Sequence, residues 1–158
     1  MPPDILIRRA AVDDATRVCT LFRTLSPYFT AQPDGTGAER FFETISAEAI
    51  AGYIGSPRYD YWVAESSGHL AGAAALRDRK HLYHLVVASP YQRSGLGRRL
   101  WSTVQASALA AGNAGEFTVN SSLYGVPVYQ RFGFVPAGEP TTANGVLFVP
   151  MQLRLNRT

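Results

Sequence analysis

The spacing of apolar positions changes along the chain, and each change marks an element. Ile5 to Ala10 is a short apolar-rich run that reads as a strand. After Asp13-Asp14, the residues Val18, Leu21, Phe22 and Leu25 recur at the spacing of one helical face. Ala15 to Leu25 is therefore expected to be a helix, with the aspartates at its cap and Pro27 at its end. Pro33-Asp34-Gly35 and Gly37 mark a loop, and Ser46 is expected to cap a second helix, Ala47 to Ile54.

From Tyr59 the period shortens. Tyr59 to Glu65 and His69 to Arg77 read as strands joined at Ser66-Ser67-Gly68, and Leu82 to Val87 as a further strand that Pro90 stops. Leu96 to Ala111 reads as a long helix ended by Gly112-Asn113. Glu116 to Asn120 is expected to be a strand and Val126 to Phe132 a short helix. Phe134-Val135 begins another strand, and Val146 to Leu155 forms the last one, after the turn-rich Gly138 to Gly145. The strand–helix–strand passage through 82–120 implies a parallel pair with a crossover helix; the other strands read as antiparallel hairpins. With no repeat, low-complexity run or linker, one domain over 1–158 is expected in a mixed α/β class.

Composition narrows the function classes. Apolar residues make up 46% and charged residues 17%, the balance of a folded globular chain. Nothing approaches the roughly 20 apolar residues of a membrane span, and Met1-Pro2-Pro3-Asp4 does not look like a secretory signal. Cys19 is the one cysteine, so neither a disulfide framework nor a multi-cysteine zinc site is expected. A cytoplasmic setting without a bound metal is the expectation. The net charge of +3 admits nucleic acid or an anionic small ligand as partner. The largest local basic group is Arg93, Arg98 and Arg99, which favours a compact anion over a long phosphate track.

That group sits in the most informative segment. The strand Leu82 to Val87 runs through Gln92-Arg93-Ser94-Gly95-Leu96-Gly97 directly into the long helix. A helix start carries unpaired N–H groups and the positive end of the dipole, and a loop without Cβ atoms at Gly95 and Gly97 lets a pyrophosphate approach. Arg98 and Arg99 oppose the dipole where they stand, a penalty of about 0.3–1 kcal/mol each that a bound polyanion would reverse. A P-loop is excluded because its Lys-Ser/Thr pair is absent, and a dinucleotide fingerprint because the third glycine is missing.

Gln92-Arg93-Ser94-Gly95-Leu96-Gly97, in its place between strand and helix, resembles the acyl-CoA signature of the GCN5-related N-acetyltransferases, the GNAT family. A second block is similar as well: Val119-Asn120-Ser121-Ser122 ends a strand, and Val126-Pro127-Val128-Tyr129-Gln130-Arg131-Phe132-Gly133-Phe134 follows. The resemblance implies a mostly antiparallel twisted sheet of about six or seven strands, with a splayed central parallel pair and about four flanking helices. It implies acetyl-CoA as acyl donor and an amine of a small molecule or peptide as acceptor.

Carried over, it places pantetheine along the backbone of Leu85, Val86 and Val87, with an oxyanion donor near Val86. Pyrophosphate falls on the amides from Arg93 to Arg98, with Gln92, Ser94, Gly95, Leu96 and Gly97 in the cradle. Tyr129 falls where the family places the phenol that serves the departing thiol as general acid, and Asn120, at the end of the second splayed strand, is expected to bind pantetheine or an ordered water with its amide. The strand before the cradle lacks the acid many relatives use as base; His84 and His81 stand there instead, His84 being the first choice and Glu65 a substitute. In a regular strand the two histidines face opposite sides, and a bulge would change that.

Tyr28, Phe29, Phe41, Phe42 and Tyr53 are expected at the acceptor wall, with Asp34, Glu39 and Glu43 able to attract a cation. No nucleic acid or membrane partner is expected, and a homodimer is compatible with the chain. A CoA-sensing module without turnover is the alternative reading, supported by the missing acid.

Overall fold

The structure, a computed structural model, describes residues 4–28, 30 and 37–155. Eight strands form around one sheet: β1 (Leu6–Arg9), β2 (Tyr59–Ser66), β3 (His69–Arg77), β4 (His81–Val87), β5 (Glu116–Ser121), β6 (Val135–Pro136), β7 (Thr141–Ala143) and β8 (Val146–Arg154). The helices are α1 (Ala15–Leu25), α2 (Glu39–Thr44), α3 (Ala47–Ile54), α4 (Leu96–Ala110) and α5 (Val126–Phe132). The strands lie in the order β1-β2-β3-β4-β5-β8-β6, with β7 hydrogen-bonded to β8. Every pairing is antiparallel except β4–β5. The expected mixed sheet with a central parallel pair is present. The short helix α2 and the strand β7 are additions to the sequence reading, β7 lying inside the stretch read as turns.

Two cores sandwich the sheet. Leu96, Leu100, Trp101, Val104 and Ala108 of α4 pack with Leu76, Leu82, Phe117, Val119 and Phe134 on one face. Val18, Leu21, Phe22 and Leu25 of α1, with Ile45 and Ile50, cover Tyr61, Val63, Ala73, Ala75 and Val86 on the other. Val18, Leu21, Phe22 and Leu25 are the apolar positions whose helical spacing predicted α1. The close seating of α4 depends on Gly72 of β3, where a Cβ would stand 3.0 Å from Leu100 Cδ1 and 2.7 Å from the Val86 carbonyl oxygen. Ser46 caps α3 as expected, accepting the Ala49 N–H at 3.1 Å.

Asp14 precedes α1 but does not cap it by its side chain. Its buried carboxylate accepts the Ala11 N–H at 2.7 Å and both ends of the Arg8 guanidinium at 2.8 and 3.0 Å, and pairs with Arg17 at 2.8 Å. Glu65 completes the cluster by pairing with Arg8 and Arg17. The Arg8 hydrogen bonds hold the Asp14 carboxyl well below the usual range, against the opposing effect of burial. Replacing Asp14 with alanine leaves Arg8 and Arg17 with Glu65 as their one acidic partner among the described residues, and the Ala11 N–H without its acceptor. It is expected to cost about 2–4 kcal/mol in a denaturant titration. Because the folded pKa is depressed, the wild-type contribution is complete at neutral pH. It fades once the pH falls past the unfolded carboxylate value of about 3.9. A wild-type and Asp14→Ala pair whose stability difference does not shrink toward pH 3 would contradict this account.

Candidate functional site

β4 and β5 run side by side only at their beginnings. His81 faces Thr118 and Leu82 faces Val119, and no later pairing joins the strands. On its other edge β4 stays bonded to β3 as far as Val87. The β5-facing edge from Tyr83 to Val87 is therefore left without a strand partner among the described residues. Unpaired main-chain groups along a strand are a template for an added extended chain. Leu85, Val86 and Val87, the residues assigned to pantetheine, lie on this edge.

The gap leads to the loop of residues 92–97, expected from sequence to hold the pyrophosphate. Gln92 fastens the end of β4 by donating to the Val87 carbonyl at 2.9 Å, and the Ser94 hydroxyl donates to the Tyr91 carbonyl. Arg93 and Gly95 adopt positive φ, 62° and 86°, which turn the chain into α4. The first bond into the helix runs from the Arg99 N–H to the Gly95 carbonyl at 3.1 Å. The amides before Arg99 thus face outward at the positive end of a four-turn helix. A Cβ on Gly97 would meet nothing nearer than Val87 Cγ2 at 3.8 Å. Its small size leaves space above the helix start rather than relieving a contact within the protein.

Arg98 has a second attachment that the sequence did not suggest. Its guanidinium donates to the Arg131 carbonyl at 3.2 Å and lies 5.1 Å from the centre of the Phe132 ring. The cradle helix is thereby tied to the end of α5, which carries Tyr129. Tyr129 is buried in the α4-side core, its ring edge-on to Phe132 and Phe134. Burial pushes its hydroxyl pKa up, so the phenol stays protonated through the neutral range. Gly125 makes room for it: a Cβ there would lie 3.0 Å from Tyr129 Cε2 and 2.7 Å from Ser121 Oγ. Tyr129 is thus set against the last residue of β5, beside the gap.

Asn120 is exposed on β5, one residue past the last β4–β5 pair. Strand alternation puts it on the α1 face with Thr118, whereas Val119 belongs to the α4-side core. The structure therefore brings Asn120 and Tyr129 to the same gap but on opposite faces of the sheet.

The histidines are settled by a bulge. Ala75 pairs with His84 and Leu76 with Leu82, so Tyr83 is the extra residue. Leu76 and Leu82 belong to the α4-side core, while Ala75 belongs to the α1-side core, against which the His84 ring packs through Phe22. The bulge reverses the parity, and His81 and His84 share the α1 face. His84 is buried in a cage of rings: Tyr83 stacks on it at 4.4 Å, Phe22 lies at 4.5 Å, and Tyr53 and Tyr61 stand edge-on. Its Nδ1 is 2.7 Å from the Tyr61 hydroxyl. Burial lowers its pKa to about 3. His81, with Nδ1 2.8 Å from Thr118 Oγ1, is lowered to about 4 by burial and then by Arg77.

Both values change the expected base chemistry. An imidazole of such low proton affinity is a poor resting place for the proton of an alkylammonium ion. Glu65 is held at the other end of β2 by Arg8 and Arg17. The residues that the sequence reading missed are Tyr61 and Tyr83, which build the cage. Their signal was the pair Tyr59-Asp60-Tyr61 and Leu82-Tyr83-His84 flanking a run of small residues, Ala71 to Ala75.

Of the residues expected at the acceptor wall, Phe41 and Phe42 are half-buried with ring centres 5.7 Å apart, and Arg23 lies over Phe42. Tyr53 donates to the Thr44 carbonyl at 2.8 Å and accepts from Tyr83 at 3.1 Å. The tip of the β7–β8 turn presses on the start of α2, where a Cβ on Gly145 would come within 2.4 Å of the Gly37 carbonyl oxygen. Phe29, Asp34 and the side chain of Tyr28 lie outside the described residues. Among the described residues no group of His, Cys, Asp and Glu is arranged to hold a metal, and no helix is long and apolar enough to cross a membrane.

Comparison with known proteins points the same way. A family model described as an acetyltransferase (GNAT) domain matches residues 29–155. PaiA N-acetyltransferase from Thermoplasma acidophilum, solved in complex with coenzyme A, superposes with a TM-score of 0.77 at 18% identity, over 96% of this chain and 99% of that one. The ribosomal-protein-S18-alanine N-acetyltransferase from Escherichia coli gives 0.70 at 20% identity, over 98% and 96%. In sequence, N-acetyltransferase 8 from Mus musculus is 28% identical over 134 residues, 77% of this chain and 59% of the relative. The chain spans about half the length of the curated relatives it matches.

Proposed function

The chain belongs to the GNAT family of acetyltransferases, and from that membership we propose that it moves an acetyl group from acetyl-CoA to a primary amine of a small molecule or peptide. The observation that carries the reading is the parted β4–β5 pair opening onto the outward amides before Arg99. Acetyl-CoA supplies the activated acyl group. The unpaired edge at Leu85 to Val87 holds the pantetheine as an extra strand would, and the amides from Arg93 to Arg98 hold the pyrophosphate. The carbonyl carbon then lies in the gap, where a main-chain N–H near Val86 stabilises the oxyanion formed on amine attack.

Tyr129 enters from the α4 face and serves the sulfur. Its protonated phenol donates to the thiolate as the carbon–sulfur bond breaks. Asn120 stands on the opposite face, where an incoming amine or an ordered water can meet its amide. The amine's proton passes to water at the open end of the gap, because neither histidine holds it well. Backbone amides and a phenol suffice for the rest of the chemistry, so the missing acid on β4 does not argue against turnover.

Thiol release from acetyl-CoA against a panel of amines tests the proposal. Turnover with one class supports it. Tight acetyl-CoA binding without turnover against any amine would favour a sensing module instead. The pH profile gives a second test. With His84 at about 3 and His81 at about 4, neither contributes an inflection near 6.5. The acid limb is expected to follow the acceptor's own ammonium pKa, moving when one amine is exchanged for another of different basicity. A limb fixed near pH 6.5 that vanishes in His84→Ala would restore the histidine as base.

A further inference from the structure

Tyr61, Ala75 and His84 form one row across three strands: Tyr61 pairs with Ala75, and Ala75 pairs with His84. Only a small side chain in the middle lets the outer two meet, and Ala75 is that residue. Tyr61 reaches over it, and its hydroxyl comes to 2.7 Å from His84 Nδ1. Both side chains are buried, Tyr61 at 3% exposure and His84 at 7%. Among the described residues the Tyr61 hydroxyl has no other hydrogen-bond partner.

A buried hydroxyl hydrogen without an acceptor is costly, whereas a neutral imidazole always has one nitrogen free to accept. The O–H must therefore donate, Nδ1 must accept, and the ring proton must sit on Nε2. A half-turn of the ring would put Cδ2 in place of Nδ1 and leave the Tyr61 hydroxyl without its acceptor, and Tyr83, stacked on the ring, and Phe22, packed close, hold it as it stands. Tyr83 is itself anchored, donating to Tyr53, which donates to the Thr44 carbonyl. Tyr61 lies on the β2 side of β4, so the ring edge opposite Nδ1, which carries Nε2, is turned toward the β5 side, where the gap opens.

We propose that Tyr61 is a positioning residue that fixes His84 as the Nε2–H tautomer, making His84 a hydrogen-bond donor to the oxygen that gains charge in the gap. This role rests on the acetyl-transfer reading above and gives that site a donor besides the main chain. It also accounts for burying the imidazole: burial keeps it neutral, and a neutral ring with one nitrogen occupied has a single direction in which to donate. Tyr61 touches no substrate and acts through His84.

The chain has three histidines, so nitrogen NMR of histidine-labelled protein is tractable, with His84→Gln identifying the His84 signals. The wild-type spectrum is expected to show His84 as Nε2–H, and Tyr61→Phe, which keeps the ring and removes the hydroxyl, to abolish that preference. An Nδ1–H signal for His84 in the wild type overturns the proposal, and decides it even if Tyr61→Phe does not fold. In turnover, Tyr61→Phe is expected to lower kcat roughly tenfold with the KM for acetyl-CoA unchanged. His84→Gln, whose amide can donate, should retain more of kcat than His84→Leu; equal losses would argue against donation. An Nε2–H tautomer in a protein with no turnover on any amine would leave the tautomer assignment standing and remove the acetyl-transfer reading instead.

Discussion

Tyr129→Phe is expected to lower kcat by about 10²–10³ while the KM for acetyl-CoA changes less than threefold or so. The substitution removes one oxygen from a ring that is otherwise held by Phe132, Phe134 and the open face of Gly125. Nothing in that packing depends on the hydroxyl, so the fold and the cradle should be unaffected. The rate falls because a thiol with a pKa of about 8.5 is a moderate leaving group only when its developing charge is met. A phenol whose pKa is raised by burial keeps its proton ready and surrenders it reluctantly. Its contribution is therefore a hydrogen bond that strengthens as charge builds on sulfur; the phenol keeps its proton, and the departed thiolate takes one from solvent. Such a bond is made mainly in the transition state, which is why kcat and kcat/KM should fall together. Stopped-flow measurement of acetyl transfer, apart from product release, checks this. A chemical rate within about threefold of wild type would remove Tyr129 from the reaction.

The same residue shows which parts of the site the sequence displayed and which it hid. Tyr129 and Gly133 lie close together at the end of α5, and the stretch from Gln92 to Gly97 is one unbroken turn between strand and helix. Both are short local blocks, so a motif resemblance was enough to name them, whereas Gly125, whose role lies in its contact with Tyr129 and Ser121, was not singled out. The parting of β4 from β5 was expected from family resemblance alone, since nothing in either strand's own pattern says where pairing stops. His84 is the opposite case. Its face depends on the bulge at Tyr83, and the bulge depends on register with β3. Its protonation depends on a ring cage drawn from α1, α3, β2 and β4, residues distant in sequence. An unperturbed histidine looked suited to base work; burial removed that role and supplied another. The ion cluster around Asp14 was hidden for the same reason, because its partners come from β1, α1 and β2.

Placing a glutamate at position 97 separates the cradle from the fold it is built on. Three features of Gly97 make the outcome distinctive. It has a helical position in the first turn of α4, where a carboxylate is favoured by the dipole by about 0.3–1 kcal/mol. A Cβ added there meets only Val87 Cγ2, at an ordinary contact distance of 3.8 Å. Ordinary helix propensity also favours glutamate over glycine. Gly97→Glu should therefore melt at the wild-type temperature or slightly above. The pyrophosphate would meet a fixed negative charge and a side chain in the space it needs, where it had met outward amides. A loss of about 3 kcal/mol or more, a hundredfold or greater weakening of acetyl-CoA binding, is the expected result by calorimetry. Activity should recover in part at high acetyl-CoA, because the gap and Tyr129 are untouched. A variant that melts early would show that Gly97 serves packing, and one that binds acetyl-CoA normally would move the pyrophosphate away from the start of α4.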